Sequence, residues 1–271
     1  MIKSILAVAE GGPDCAMAFR TASQVARNFG ATVEAVYFAA KTADGASLGA
    51  QAMPFLAEME RTRLLARARN AKSAFAEFLA ADGDNSFDDG GVVLSSLVDR
   101  GRRADLIVLG RPGMDTENTE PASVGAAIHG CARPVMIAPP DPQPRPFGSV
   151  IVAWNGSQQA SRAVHHALPI LARANKVAAL VVDEEPDIVG APALLTYLAR
   201  HGIAASVQAI RPNAATGRSR GRALLEYVRA EGADCLVMGA YGGGQLRSFL
   251  GLGGATAKVV SACPIPLLLA H

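Results

Sequence analysis

The run GAYGGGQLRSFLGLGGATAKVV, residues 239–260, follows ADCLVM, an apolar stretch that reads as a buried strand. A strand opening into a glycine-rich loop and then a helix is one way a chain holds a phosphate. Glycine permits positive φ and lets anionic oxygens approach backbone N–H groups with no Cβ in the way. The helix start adds N–H donors and the positive end of its dipole. Gly242, Gly243, Gly244, Gly251, Gly253 and Gly254 precede Thr256, whose hydroxyl stands where it can meet a phosphate oxygen, and Arg247 supplies charge. The run has neither the GKS or GKT of a Walker loop nor the position of a Rossmann GxGxxG after the first strand. On glycine content alone, a surface loop with no ligand is an equally good reading.

Other reactive residues form no comparable pattern. Cys15, Cys131, Cys235 and Cys263 lie far apart with no CxxC, which argues against a zinc ribbon or a redox dithiol and favours small core residues. His165 and His166 are adjacent on a helical stretch, so their side chains diverge by about 100°. His129, His201 and His271 are scattered, and no HExxH accompanies them. There is no GxSxG elbow, and Ser157 in WNGSQ reads as a helix-start residue. EGGPD, residues 10–14, resembles the SGGxD loop of ATP pyrophosphatases, but Glu10 would put a carboxylate against the pyrophosphate. A turn into a helix explains that stretch. Arg211, Arg218, Arg220 and Arg222 can meet phosphates or an acidic partner, but a solvated basic face is the plainer reading. Without interleaved aromatics they make no case for nucleic acid.

The elements that would position these residues come twice. ADLIVLG, residues 104–110, matches ADCLVMG, residues 233–239. Cys131-Ala-Arg-Pro134 before VMIA matches Cys263-Pro-Ile-Pro266 before LLLA, and ILAVAEGG from Ile5 parallels VIVAWNGS from Val150. Three correspondences in one order predict a duplicated domain of about 140 residues. The expected division is 1–138 and 149–271, joined by the proline-rich linker 139–148. In the second half, strands are expected at 149–154, 176–183, 203–209, 234–239 and 265–270. Helices are expected at 157–174, 190–201, 217–231 and 254–262, and the first half should carry a long helix over 54–81. Strands alternating with helices predict an α/β fold: two tandem open parallel sheets, Rossmann-like, covered on both faces. Ligands of such sheets bind beyond the strands' C-terminal ends where strand order reverses. The first and fourth strands of each half end there, in EGG or WNGS and in GRPG or GAYG.

The 271 residues are half hydrophobic and 5% aromatic, and carry a formal net charge of +2. That charge supports neither nucleic-acid nor membrane binding. No apolar run approaches the roughly 18 residues of a membrane span, and the expected location is the cytoplasm.

Gly239-x2-Gly242, then ten residues and Gly253-Gly254-Ala255-Thr256, resembles the nucleotide loop of the universal stress proteins, G-x2-G-x9-G-S/T. VIVAWNGS, MGAYG and CPIPLLLAH resemble that family's first strand, the end of its fourth and its last. The resemblance covers both halves. It implies two domains of adenine nucleotide alpha hydrolase type and a stress-response protein, not an enzyme, that binds one adenine nucleotide, ATP or AMP, with Mg2+ possible beside it. Asn155 would then sit by the nucleoside, Val182 against the adenine and Met238 in the base pocket. Gly239 and Gly242 would meet the ribose and phosphate region, and Gly253, Gly254, Ala255 and Thr256 the phosphates. Read from the residues alone, Asn155 can equally be a helix cap, and Val182 and Met238 plain core. Two departures are visible: ten loop residues in place of nine, and Gly254 where the family has a hydroxyl.

In the first half, Asp115, Glu117 and Glu120 stand where phosphates would lie, and Pro112 removes a donor. That half is therefore expected to hold no nucleotide. Two other readings stay open: a family member acting by protein contacts without nucleotide, and an adenine-nucleotide hydrolase, which lacks a catalytic signature. The apolar last strands, VMIA and LLLA, need covering. Family members pair through that strand, which implies an intrachain pseudo-dimer and a further homodimer.

Overall fold

A computed structural model describes residues 1–12, 15–39, 53–81, 83–112, 119–141, 147–183, 190–241 and 254–271. The first half runs β1 (Ser4–Ala9), α1 (Cys15–Phe29), β2 (Thr32–Phe38), α2 (Met53–Phe78), β3 (Ser86–Val92), α3 (Leu94–Gly101), β4 (Leu106–Leu109), α4 (Pro121–Gly130) and β5 (Val135–Ile137). The second repeats the order as β6 (Ser149–Ala153), α5 (Gln158–Leu171), β7 (Lys176–Val182), α6 (Ala191–Arg200), β8 (Ala205–Ile210), α7 (Gly217–Ala230), β9 (Cys235–Gly239), α8 (Ala255–Ala262) and β10 (Leu267–Ala270).

All ten strands form one sheet, in the order β3-β2-β1-β4-β5-β10-β9-β6-β7-β8. Every pair is parallel except the central one, where β5 and β10 run antiparallel with Met136 opposite Leu268. Each apolar last strand therefore covers the other's edge. The strands are nearly continuous apolar runs because helices bury both faces. Alternate residues divide between two cores. Ile5, Ala7 and Ala9 join Phe19 of α1, Val164 of α5 and Leu198 of α6 on one face. Leu6 and Val8 join Leu97 of α3, Ile128 of α4, Leu224 of α7 and Val259 of α8 on the other.

The repeated acidic residue before the fourth strand of each half has a structural task. Asp105 Oδ2 accepts from the backbone N–H groups of Lys3 and Ser4, at 2.8 and 3.1 Å. Asp234 does the same for Gly148 and Ser149, at 2.9 and 3.0 Å. Each carboxylate thus fixes where its half's first strand begins against the fourth. The four cysteines are buried and none forms a disulfide. Burial pushes the Cys131 and Cys263 thiols up to about 11, so they are inert packing groups at neutral pH.

Candidate functional site

In each half the strand order reverses between the first and fourth strands, so the crevice lies past Ala9 and Leu109 in one half and past Ala153 and Gly239 in the other. In the second half the chain leaves β6 through Trp154, Asn155 and Gly156, the last at φ 70°. The exposed Asn155 Oδ1 accepts from the Ser157 backbone N–H at 3.2 Å and from its hydroxyl at 2.7 Å. Ser157 Oγ in turn accepts from Ala160 N at 3.2 Å, capping α5. Asn155 therefore orients a helix cap, and its carbonyl oxygen is engaged within the chain.

Gly239 ends β9 where α5 starts above it. A Cβ there would lie 2.5 Å from Ala160 N and 2.7 Å from the Gln159 carbonyl carbon, both backbone atoms. The glycine permits the helix N-terminus to pass directly over the strand end. Met238 is buried and Val182 half-buried, both against the core that α7 and α8 cover. Beyond Gly239, Ala240 N donates to the Ala270 carbonyl at 2.8 Å. Tyr241, at φ 53°, donates its N–H to Thr256 Oγ1 at 3.3 Å. That bond holds together the two ends of the glycine run. Gly242, Gly253 and Arg247 lie outside the described residues, as do Gly243, Gly244 and Gly251.

Helix α8 has Gly254 at its N-cap position, with no side chain to cap it. Its ladder opens with Lys258 N donating to the Gly254 carbonyl at 3.2 Å, so the amides of Ala255, Thr256 and Ala257 precede it. The N-terminal turn of α7 lies against this point. Cβ atoms on Gly217 and Gly221 would come within 3.0 Å of Ala255 N and 2.9 Å of Ala255 O. Glycines at both positions let two helix N-termini converge, and Gly217 leaves room beside the Ala255 amide. Around them stand groups that the sequence reading did not assign to the site. Arg220 Nη2 donates to Asp183 Oδ1 at 3.3 Å. The buried Arg220 Nε and Trp154 Nε1 atoms have no hydrogen-bond partner among the described residues. The RSRGR cluster signalled Arg220; nothing in the sequence tied it to Asp183. Among the described residues no group of three or more His, Cys, Asp or Glu side chains could hold a metal ion.

The first half fills the equivalent place with its own carboxylate. Glu10, at the position matching Asn155, is 4% exposed. Its Oε2 accepts from Glu120 N at 2.9 Å and its Oε1 from the Ser123 hydroxyl at 2.6 Å, both at the start of α4. Burial raises its pKa from 4.5 to about 7, against the lowering effect of these two hydrogen bonds and of Arg67. Arg67 Nε and Asn70 Nδ2 of α2 donate to the carbonyls of Glu10 and Gly11, at 2.6 and 3.2 Å. With Gly11 at φ 73°, α2 closes directly over this turn. Glu120, expected among the repelling acids, contributes its backbone N–H here; Asp115 and Glu117 lie outside the described residues.

The halves also touch beside the glycine run. The His129 ring, at the end of α4, lies 4.5 Å from that of His271 and 5.4 Å from that of Tyr241. His271 Nδ1 is 2.9 Å from the Ala240 carbonyl oxygen. Burial, with the His271 ring beside it, holds the His129 imidazole below its ordinary range.

Compared with known proteins, residues 1–137 and 146–271 each match the model of the universal stress protein family. A universal stress protein from Archaeoglobus fulgidus DSM 4304 has a similar structure, at TM-score 0.68 and 14% identity, over 99% of this chain and 98% of its own. A putative universal stress protein from Pseudomonas aeruginosa UCBPP-PA14 is similar at TM-score 0.54 and 16% identity, over 99% and 93%. No curated protein sequence matches the chain.

Proposed function

The chain belongs to the universal stress protein family, as two matched domains in tandem, and from that premise we propose that it binds one adenine nucleotide, in its C-terminal half. The observation that carries this reading is the contrast between two helix N-termini. That of α4 is filled by Glu10, whereas that of α8 has three amides ahead of its ladder and glycines on either side. Such an end attracts an anion through oriented N–H groups and the helix dipole. The residues fit the ligand in kind. Val182 and Met238 offer apolar surface for a base, and Gly239 lets the strand end be approached. Gly254, Ala255 and Thr256 offer donors for phosphate oxygens, with Gly242 and Gly253 completing the loop. Arg220 brings positive charge, and the Trp154 Nε1 and Arg220 Nε atoms have no acceptor among the described residues.

In this reading the protein is a binding and regulatory module for ATP or AMP, with Mg2+ entering only alongside the phosphates. Its described side chains offer no acid–base pair aimed at the α8 end, so turnover is slow or absent. Calorimetric titration of the full chain with ATP and with AMP tests it: one site per chain is expected. At a ligand concentration about 100 times the dissociation constant, stability should rise by about 2.7 kcal/mol. No heat and no thermal shift at millimolar nucleotide would overturn the proposal. Two sites per chain would overturn the role given to Glu10.

A further inference from the structure

The N-terminal half has a cavity of its own, and we infer that it takes a compact organic cation with an apolar body. The cavity, about 350 Å³, opens between the end of β2, the start of α3 and the start of α4. That volume lies within the range of small-molecule sites, about 300–1,000 Å³. Phe38, 4% exposed, forms its floor, and Val93 and Leu94 stand on its rim at 42% and 40% exposure. Among the described residues these are two of the few large apolar side chains left in water, and they sit at a concavity that a ligand would cover.

Charge decides the class of ligand. Among the described residues of the lining, Glu120 is the one ionisable side chain. Its carboxylate forms no ion pair with a described residue, although Arg100, Arg102 and Lys72 in the same half each pair with other acids. Behind it, Glu10 already takes the α4 donors that an anion would need. A phosphate or carboxylate entering here would meet the Glu120 carboxylate and find the helix end that binds it elsewhere already taken by Glu10. An ammonium or amidinium group would gain a partner in Glu120 while its body covers Phe38, Val93 and Leu94. The remaining polar features, the Ser95 hydroxyl and the first amides of α3, suit a hydroxyl or carbonyl on the same molecule. This site stands whether or not the C-terminal half holds a nucleotide.

The test uses three probes with one phenyl ring: 2-phenylethylamine, 2-phenylethanol and 3-phenylpropionate, each titrated into the full chain with methyl-labelled Val and Leu. The amine should shift the Val93 and Leu94 methyl resonances along a saturating curve, and the acid should bind about tenfold more weakly or not at all. Glu120→Gln, which keeps the backbone N–H that Glu10 uses, should bring amine affinity down to that of the alcohol. Saturable shifts elsewhere but not at these two methyls would overturn the site. Equal binding of acid and amine by the unaltered protein would overturn the charge assignment without any variant. The nucleotide titration is read on the other half, so failure of one proposal is distinct from failure of the other.

Discussion

Glu10 and Asn155 occupy the same place in two copies of one fold, and their environments have diverged completely. Glu10 is buried, accepts from the first turn of α4 and lies under α2. Asn155 is exposed and accepts from Ser157, the residue that caps α5, leaving α8 to the glycine run. The sheet register beneath is unchanged: Ile5 pairs with Leu106 as Val150 pairs with Cys235. The scaffold thus keeps the crevice in both halves, and in the first a single side chain at its mouth occupies the helix end.

The most damaging test of the comparison attacks what the halves share. Leu268, 1% exposed, faces Met136 across the antiparallel joint. Leu268→Asp would bury an unpaired charge there and should lower stability by about 4 kcal/mol or more, both halves unfolding in one transition by circular dichroism. Two separate transitions with only one displaced would show that the joint does not couple them.

Next comes Glu10 itself. Its folded pKa of about 7 exceeds the ordinary 4.5, so between those values the native state binds more protons than the unfolded chain. The contribution of Glu10 to stability is then fully present below pH 4.5 and is lost as pH rises through about 7, by about 3 kcal/mol in all. Urea titrations across this range should show that slope, and Glu10→Gln should remove it. An unchanged slope in the variant would mean that another group carries it.

Gly239→Ala sharpens the contrast from the other side. Its Cβ would press on the α5 backbone, and a loss of about 2 kcal/mol is expected, with weakened nucleotide binding. Denaturant midpoints and calorimetry would separate the two effects. The smallest change expected is Thr256→Val, which removes the acceptor for Tyr241 N. It should cost about 1 kcal/mol of stability and reduce nucleotide affinity several-fold; an affinity unaltered by calorimetry would remove Thr256 from the site.

The repeated ADLIVLG and ADCLVMG motifs made the duplicated α/β plan legible, because a strand buried on both faces leaves an apolar run of fixed length. The expected strand 176–183 is β7 at 176–182, and the expected helix 217–231 is α7 at 217–230. Polar residues were harder to place. Asp105 and Asp234 stood out as repeated acids, but their acceptor role appears only when distant strands meet. Glu10 was visible as a misfit in EGGPD, yet its partners Glu120 and Ser123 are more than a hundred residues away. Gly239, a ligand contact by the family resemblance, also has a packing reason that only the crossing of α5 reveals. Local patterns report periodicity and turns well; they say little about which side chain fills a gap made by remote segments.

The antiparallel joint has a last consequence. For separate chains, covering the apolar edge of β5 or β10 would depend on dilution. Tethering the two strands in one polypeptide replaces that encounter with an effective concentration near millimolar, whatever the cell's supply. Each half thereby keeps a permanent neighbour even if it abandons its ligand, which gives one copy latitude to drift in chemistry while still serving as architecture for the other.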